Sequence, residues 1–195
     1  MNKTVDYYDK NANDFVSGTI SADVECIQNR FLTLLPEGAR ILDFGCGSGR
    51  DIKYFLERGY HAEGVDGSKE LCKIASEVTG VTVRHMMFNE LDAIDVYDGI
   101  WACASILHLT KTELKDVLMK MIRATKYGGY IYASFRYGDF EGYIDERYFT
   151  YFTEESFEEF ISDIGEIKIV DKWVSEDVRP DRREMKWLNM IFQRV

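Results

Sequence analysis

The chain has 195 residues, 46% of them apolar and 14% aromatic, with 34 acidic against 24 basic side chains and a formal net charge of −10. That is one domain with enough apolar surface for a core. It excludes a disordered chain and disfavours a bare nucleic-acid binder, whose phosphate affinity comes from lysine and arginine. No apolar run approaches the ~20 residues of a membrane span, and residues 1–10 are polar and acidic, with no signal-peptide core. Cys26, Cys46, Cys72 and Cys103 show no Cys-x-x-Cys spacing, and His61, His85 and His108 do not cluster. No metal site is therefore expected, and free thiols in a reducing cytoplasm are.

In chain order, the first 35 residues predict helices. Val5, Tyr8, Ala12 and Phe15 share a face, and a second segment spans about 22–35, where Pro36 and Gly38 stop it. Residues 1–35 are thus expected to cap a core formed by 39–195 within a single domain. Residues 39–45 are a short apolar run ending in glycine, which predicts a buried strand. Ile52, Phe55 and Leu56 mark a helix that ends at Gly59. A second strand is predicted at 61–66. Ser68 then caps a helix running to about Val78. Residues 81–86 and 98–105 predict strands three and four. Thr110 and Glu113 have capping-box spacing, and Leu114, Val117, Leu118, Met121 and Ile122 line one helical face. Gly128-Gly129 is expected to end that helix before a fifth strand at 130–135. Thr153 opens a helix to about Ile161. Residues 167–174 and 186–193 are strands with no helix between them, so one runs antiparallel to the rest. The alternation predicts an α/β domain, a mostly parallel sheet covered on both faces.

The informative segment is Asp43-Phe44-Gly45-Cys46-Gly47-Ser48-Gly49-Arg50-Asp51. Glycines where a strand turns into a helix let the backbone approach a ligand at the carboxyl end of the sheet. The phosphate loop of nucleoside triphosphatases needs Gly-Lys-Ser/Thr, which is absent. The dinucleotide fingerprint needs a third glycine where Arg50 stands. Asp43 would repel a pyrophosphate but suits the ammonium and sulfonium of S-adenosylmethionine. Asp66, closing the second strand, can take both hydroxyls of a ribose.

On Tyr7-Tyr8-Asp9-Lys10-Asn11-Ala12, Ile41-Leu42-Asp43-Phe44-Gly45-Cys46-Gly47-Ser48-Gly49, Gly64-Val65-Asp66-Gly67-Ser68, Tyr97-Asp98-Gly99-Ile100-Trp101-Ala102 and Gly128-Gly129, the chain resembles the class I S-adenosylmethionine-dependent methyltransferases. The likeness is to the small bacterial members, including tellurite-resistance-like and small-molecule enzymes. It implies a Rossmann-like, doubly wound seven-stranded sheet of order 3-2-1-4-5-7-6, strand 7 antiparallel, with a helical lid. It also implies site roles. Asp43, Gly45 and Gly47 face the methionine part of the cofactor, with Cys46 and Arg50 in the same set. Asp66 holds the ribose and Gly67 lies by the adenine edge. Met86, Met87 and Phe88 pack the adenine, with Asn89 or backbone where many members carry an acid. Cys103, Ala104 and Ser105 touch the methionine moiety, and Tyr8 and Phe15 close over it.

Methyl transfer is an in-line displacement in which positioning supplies most of the catalysis. A base is needed only for an acceptor protonated at neutral pH. His108, following strand four, is the candidate base. Arg136, Tyr137, Arg147 and Arg179 lie in loops expected at the same end of the sheet. The arginines there can either clamp an anionic group or pair with nearby acids. The expectation is a cytoplasmic enzyme, monomer or homodimer, acting on a small-molecule acceptor. An RNA or protein methyltransferase and a non-catalytic S-adenosylmethionine-binding subunit are the alternatives.

Overall fold

The computed structural model describes residues 2–195; Met1 lies outside the described residues, and of Asp181 only the backbone is described. The strands are β1 (Arg40–Phe44), β2 (His61–Asp66), β3 (Arg84–His85), β4 (Tyr97–Ala102), β5 (Thr125–Arg136), β6 (Glu141–Ile144), β7 (Arg147–Thr150), β8 (Ile167–Glu176) and β9 (Lys186–Arg194). The helices are α1 (Lys3–Lys10), α2 (Ala12–Thr19), α3 (Glu25–Leu32), α4 (Arg50–Glu57), α5 (Lys69–Thr79), α6 (Lys111–Ala124) and α7 (Glu154–Ile161). Seven strands form one sheet in the order β3-β2-β1-β4-β5-β9-β8, while β6 and β7 pair separately. β1 to β5 run parallel, and β9 is antiparallel to both neighbours, β5 and β8. This is the expected order, with the last strand reversed.

Strand alternation divides the core in two. Leu42, Phe44, Ile100, Ala102, Ile131, Ala133, Met190 and Phe192 face one way, against the apolar stripe of α6 (Leu114, Val117, Leu118, Met121) and Phe157 of α7. Ile41, Trp101, Tyr132 and Ile191 face the other, against Phe31 of α3, Ile52 and Phe55 of α4 and Ala75 of α5. The capping box at Thr110 and Glu113 starts α6 as predicted, and the Ser68 hydroxyl accepts from the Leu71 amide to start α5. Among the described residues no helix is long and apolar enough to cross a membrane.

Three elements differ from the sequence expectation. Gly128-Gly129 does not end α6, which stops at Ala124; both glycines lie inside β5. A Cβ on Gly129 would stand 2.8 Å from the Asp98 carbonyl, so glycine is required there by the close approach of the strand β4. The third strand shrinks to two residues because Val83 donates its amide to the Ser76 hydroxyl (2.9 Å) instead of to a strand. The β6–β7 hairpin occupies a stretch expected to be loop.

Below the carboxyl ends of β1 and β4 sits a buried polar cluster. The Asp51 carboxylate accepts from Gln28 (2.6 Å), from Arg50 through two nitrogens (2.8 Å each) and from the Trp101 indole (3.0 Å). Trp101 stacks on Tyr132 at 4.1 Å, and the Tyr132 hydroxyl donates to Asn189 (2.7 Å). One carboxylate thereby joins α3, α4, β4 and, through the stack, β5 and β9. Removing it leaves a buried guanidinium and two neutral donors unpaired. Asp51→Ala is expected to lower stability by about 3–5 kcal/mol, read by urea denaturation; a loss below ~1 kcal/mol would contradict this role.

Candidate active site

A cavity of about 440 Å³ opens at the carboxyl edge of the sheet, under α1 and α2. Its floor is the glycine loop. Gly45, Gly47 and Gly49 all have positive φ, at 86°, 53° and 77°. A Cβ on Gly45 would lie 2.5 Å from the Ser105 Cβ, and one on Gly47 2.9 Å from the Phe15 ring. Both close approaches admit only glycine. Asp66 secures the loop: one carboxylate oxygen accepts from the Gly47 amide (2.9 Å) and the other from the Ser68 amide (2.8 Å). Burial raises the Asp66 pKa, and these amide bonds oppose the rise.

The cavity wall contains Tyr8, Gly45, Cys46, Gly47, Arg50, Asp66 and Gly67. It continues through Met87, Phe88, Cys103, Ser105 and His108 to Arg136, Arg147 and Arg179. The structure thus brings nearly all the predicted site residues together. Phe15, Asn89 and Ala104 line it as well, whereas Met86 does not. Phe88 packs on Phe44 (4.8 Å between rings), and the Met87 sulfur lies 3.3 Å from where a Gly67 Cβ would be. The Ser105 hydroxyl is committed to the Phe44 carbonyl (2.6 Å).

Besides Met86, two predicted residues fall outside this wall. Asp43 is buried behind the loop, on the same sheet face as Ile41; its neighbour Asp51 adds to burial in raising its pKa well above the usual range. Its Oδ2 has no hydrogen-bond partner among the described residues. Tyr137 packs with the core cluster of α6 and α7 and lines a separate groove with Tyr151, Lys186 and Arg136, which also borders the cavity. As the residue after Arg136, it points away from the cavity. Arg179 does reach the wall, but Asp177 holds it through two nitrogens (2.9 and 2.6 Å). Burial would raise the Asp177 pKa, and the Arg179 hydrogen bonds outweigh it and lower it. For Arg179, pairing with a nearby acid is what the structure contains. Arg50 is likewise paired to Asp51.

α1 closes the cavity through side-chain hydrogen bonds. The Thr4 hydroxyl accepts from the Tyr148 amide (2.9 Å), Tyr8 meets His108 Nε2 (2.8 Å), and Asp9 accepts from the Ser68 hydroxyl (2.6 Å). The His108 tautomer follows from its other nitrogen. Nδ1 lies 2.6 Å from the Tyr148 carbonyl, which can only accept, so Nδ1 carries the proton and Nε2 accepts from the Tyr8 hydroxyl. Burial lowers the His108 pKa to about 4; the bond to Tyr148 opposes this, and Arg147 and Arg136 add to it.

Thr4, Asp9 and the β6–β7 hairpin escaped the sequence reading. The hairpin's signal is Ile144-Asp145-Glu146-Arg147, a two-residue turn whose Asp145 has φ 55°. It separates aromatic-rich strands that carry Tyr143 on one side and Tyr148 and Phe149 on the other. Thr4 and Asp9 have no local signal, because their partners lie 144 and 59 residues away.

The depressed His108 pKa makes stability pH-dependent. Between pH 6.5 and about 4 the unfolded chain binds a proton here that the folded chain does not, so this contribution is lost as pH falls. His108→Phe removes it, while Asp43 and Asp66 act alike in both proteins. The stability gap between wild type and His108→Phe is expected to shrink by about 2 kcal/mol from pH 7 to 4.5 in urea titrations. An unchanged gap would refute the neutral, latched imidazole.

The sequence model of a family described as a methyltransferase domain matches residues 41–129. Malonyl-[acyl-carrier protein] O-methyltransferase of Salmonella typhimurium is 29% identical over 106 residues, 51% of this chain and 41% of that protein. Phosphoethanolamine N-methyltransferase 3 of Arabidopsis thaliana is 28% identical over 114 residues, 52% of this chain and 22% of that protein. The chain thus spans less than half the length of these curated relatives. Among solved structures, Burkholderia thailandensis 1,6-didemethyltoxoflavin-N1-methyltransferase, with bound 1,6-didemethyltoxoflavin and S-adenosylhomocysteine, superposes with a TM-score of 0.74. It is 23% identical, over 97% of this chain and 89% of that one, a likeness of fold.

Proposed function

We propose that this chain, whose residues 41–129 match the sequence model of a methyltransferase domain, is a class I S-adenosylmethionine-dependent enzyme that transfers a methyl group to a small-molecule acceptor. One observation carries the reading: a single cavity joins the glycine loop and Asp66 at one end to an aromatic and cationic pocket at the other. Its volume lies within the ~300–1,000 Å³ of small-molecule sites.

The residues fit S-adenosylmethionine. Asp66, whose two oxygens each accept one amide, keeps lone pairs for ribose hydroxyls. Met87 and Phe88 supply an apolar slot for adenine. When bound, the cofactor supplies an electrophilic methyl on a sulfonium. The chain's own work is then to orient the acceptor and exclude water. α1 does both, because Tyr8 is fixed over the cavity by His108. With its pKa near 4 and both nitrogens hydrogen-bonded, His108 serves as a positioning residue for Tyr8 in place of the free base expected from sequence. An acceptor atom with a lone pair at neutral pH fits this site.

Asp66→Asn tests the cofactor reading, since one carboxylate acceptor becomes an amide donor. S-adenosylhomocysteine affinity, by calorimetry, is expected to fall about 10–100-fold with the circular dichroism spectrum retained. Unchanged affinity would overturn it.

A further inference from the structure

We propose that the acceptor carries an oxyanion, a carboxylate or phosphate, and that Arg136 and Arg147 together hold it. This rests on the cofactor reading above.

The chain carries a net charge of −10, and two of the arginines on the cavity wall are neutralised by partners, Arg50 by Asp51 and Arg179 by Asp177. Arg136 and Arg147 have no carboxylate within 4.0 Å among the described residues. The Nε of each is buried and has no hydrogen-bond partner there. Two guanidinium cations with no carboxylate partner on the wall of one cavity are placed to meet an anion that enters it.

Aromatic rings fix both side chains without neutralising them. Arg136 lies 4.4 Å and Arg147 5.3 Å from the centre of the same ring, Phe149. Arg147 also lies 4.6 Å from the Tyr7 ring, and Arg136 donates to the Tyr151 hydroxyl (2.7 Å). Rings orient a guanidinium plane and leave its edge for a bidentate oxyanion. Both cations also act on the His108 imidazole, which places their charge at one corner. Glu113, an acid on the same wall, is committed to the Thr110 amide and hydroxyl. Arg136 ends β5, three strands along the sheet from the end of β2 where Asp66 stands, so an anion held there leaves the rest of the acceptor to extend along the cavity toward the glycine loop.

The test uses the full chain saturated with S-adenosylhomocysteine, titrated calorimetrically at constant ionic strength with benzoate, phenyl phosphate and the neutral benzamide. At least one anion is expected to bind about tenfold or more tighter than benzamide, and which one identifies the oxyanion. Arg136→Gln and Arg147→Gln are each expected to weaken that anion about tenfold, with S-adenosylhomocysteine affinity within twofold of wild type. Arg136→Lys and Arg147→Lys, which keep charge and lose the fork, are expected to fall between; they carry the comparison if a Gln variant does not fold. Equal binding of anion and benzamide, or no binding of either, overturns the proposal. So does an equal loss of S-adenosylhomocysteine affinity, which would assign both arginines to the cofactor's own carboxylate. Failure of wild type to bind S-adenosylhomocysteine sinks the cofactor reading itself.

Discussion

Asp66 holds the turn from β1 into α4 in place. That turn alternates glycines of positive φ with other residues, a path with little intrinsic preference for one shape. Two amide hydrogen bonds to a single carboxylate, one from Gly47 in the loop and one from Ser68 at the start of α5, fix the loop to the next strand–helix junction. The same carboxylate faces the cavity, so the group that shapes the floor also remains available to a ligand. Its placement needs only the parallel pairing of β1 with β2, in register from Arg40 with His61 to Phe44 with Val65.

α1 is the counterpart above the cavity. Its side-chain hydrogen bonds reach α5 at one end of the cavity and β7 and His108 at the other. Each such bond contributes about 1 kcal/mol net, far less than the buried faces of α4 or α6.

Local pattern carried much of this in the sequence. The glycine loop, the Asp66 that ends β2 and the capping box at Thr110 and Glu113 are encoded within a few residues, and each stands where it was expected. What required the fold was side-chain direction and distant partners. Arg136 and Tyr137 are adjacent and equally plausible as sequence, yet only one faces the cavity, because neighbours along an extended chain point opposite ways. The pairing of Arg179 with Asp177 lay two residues away in plain view, but only the buried setting of Asp177 makes it decisive. His108 was legible as a residue near the site. Its tautomer depends on a carbonyl 40 residues later, in a hairpin whose strands are only four residues each.

The place of β9 has a consequence for biosynthesis. β9 follows β8 in the chain but lies between β5 and β8 in the sheet. On the ribosome β8 emerges first and has no strand to pair with, while β5 presents an unfilled edge. Both wait for Lys186–Arg194, which then pairs on each side at once. Until that stretch is free of the exit tunnel, the half-built sheet offers two open edges to other chains, the moment at which a nascent domain of this topology is most exposed to misassociation.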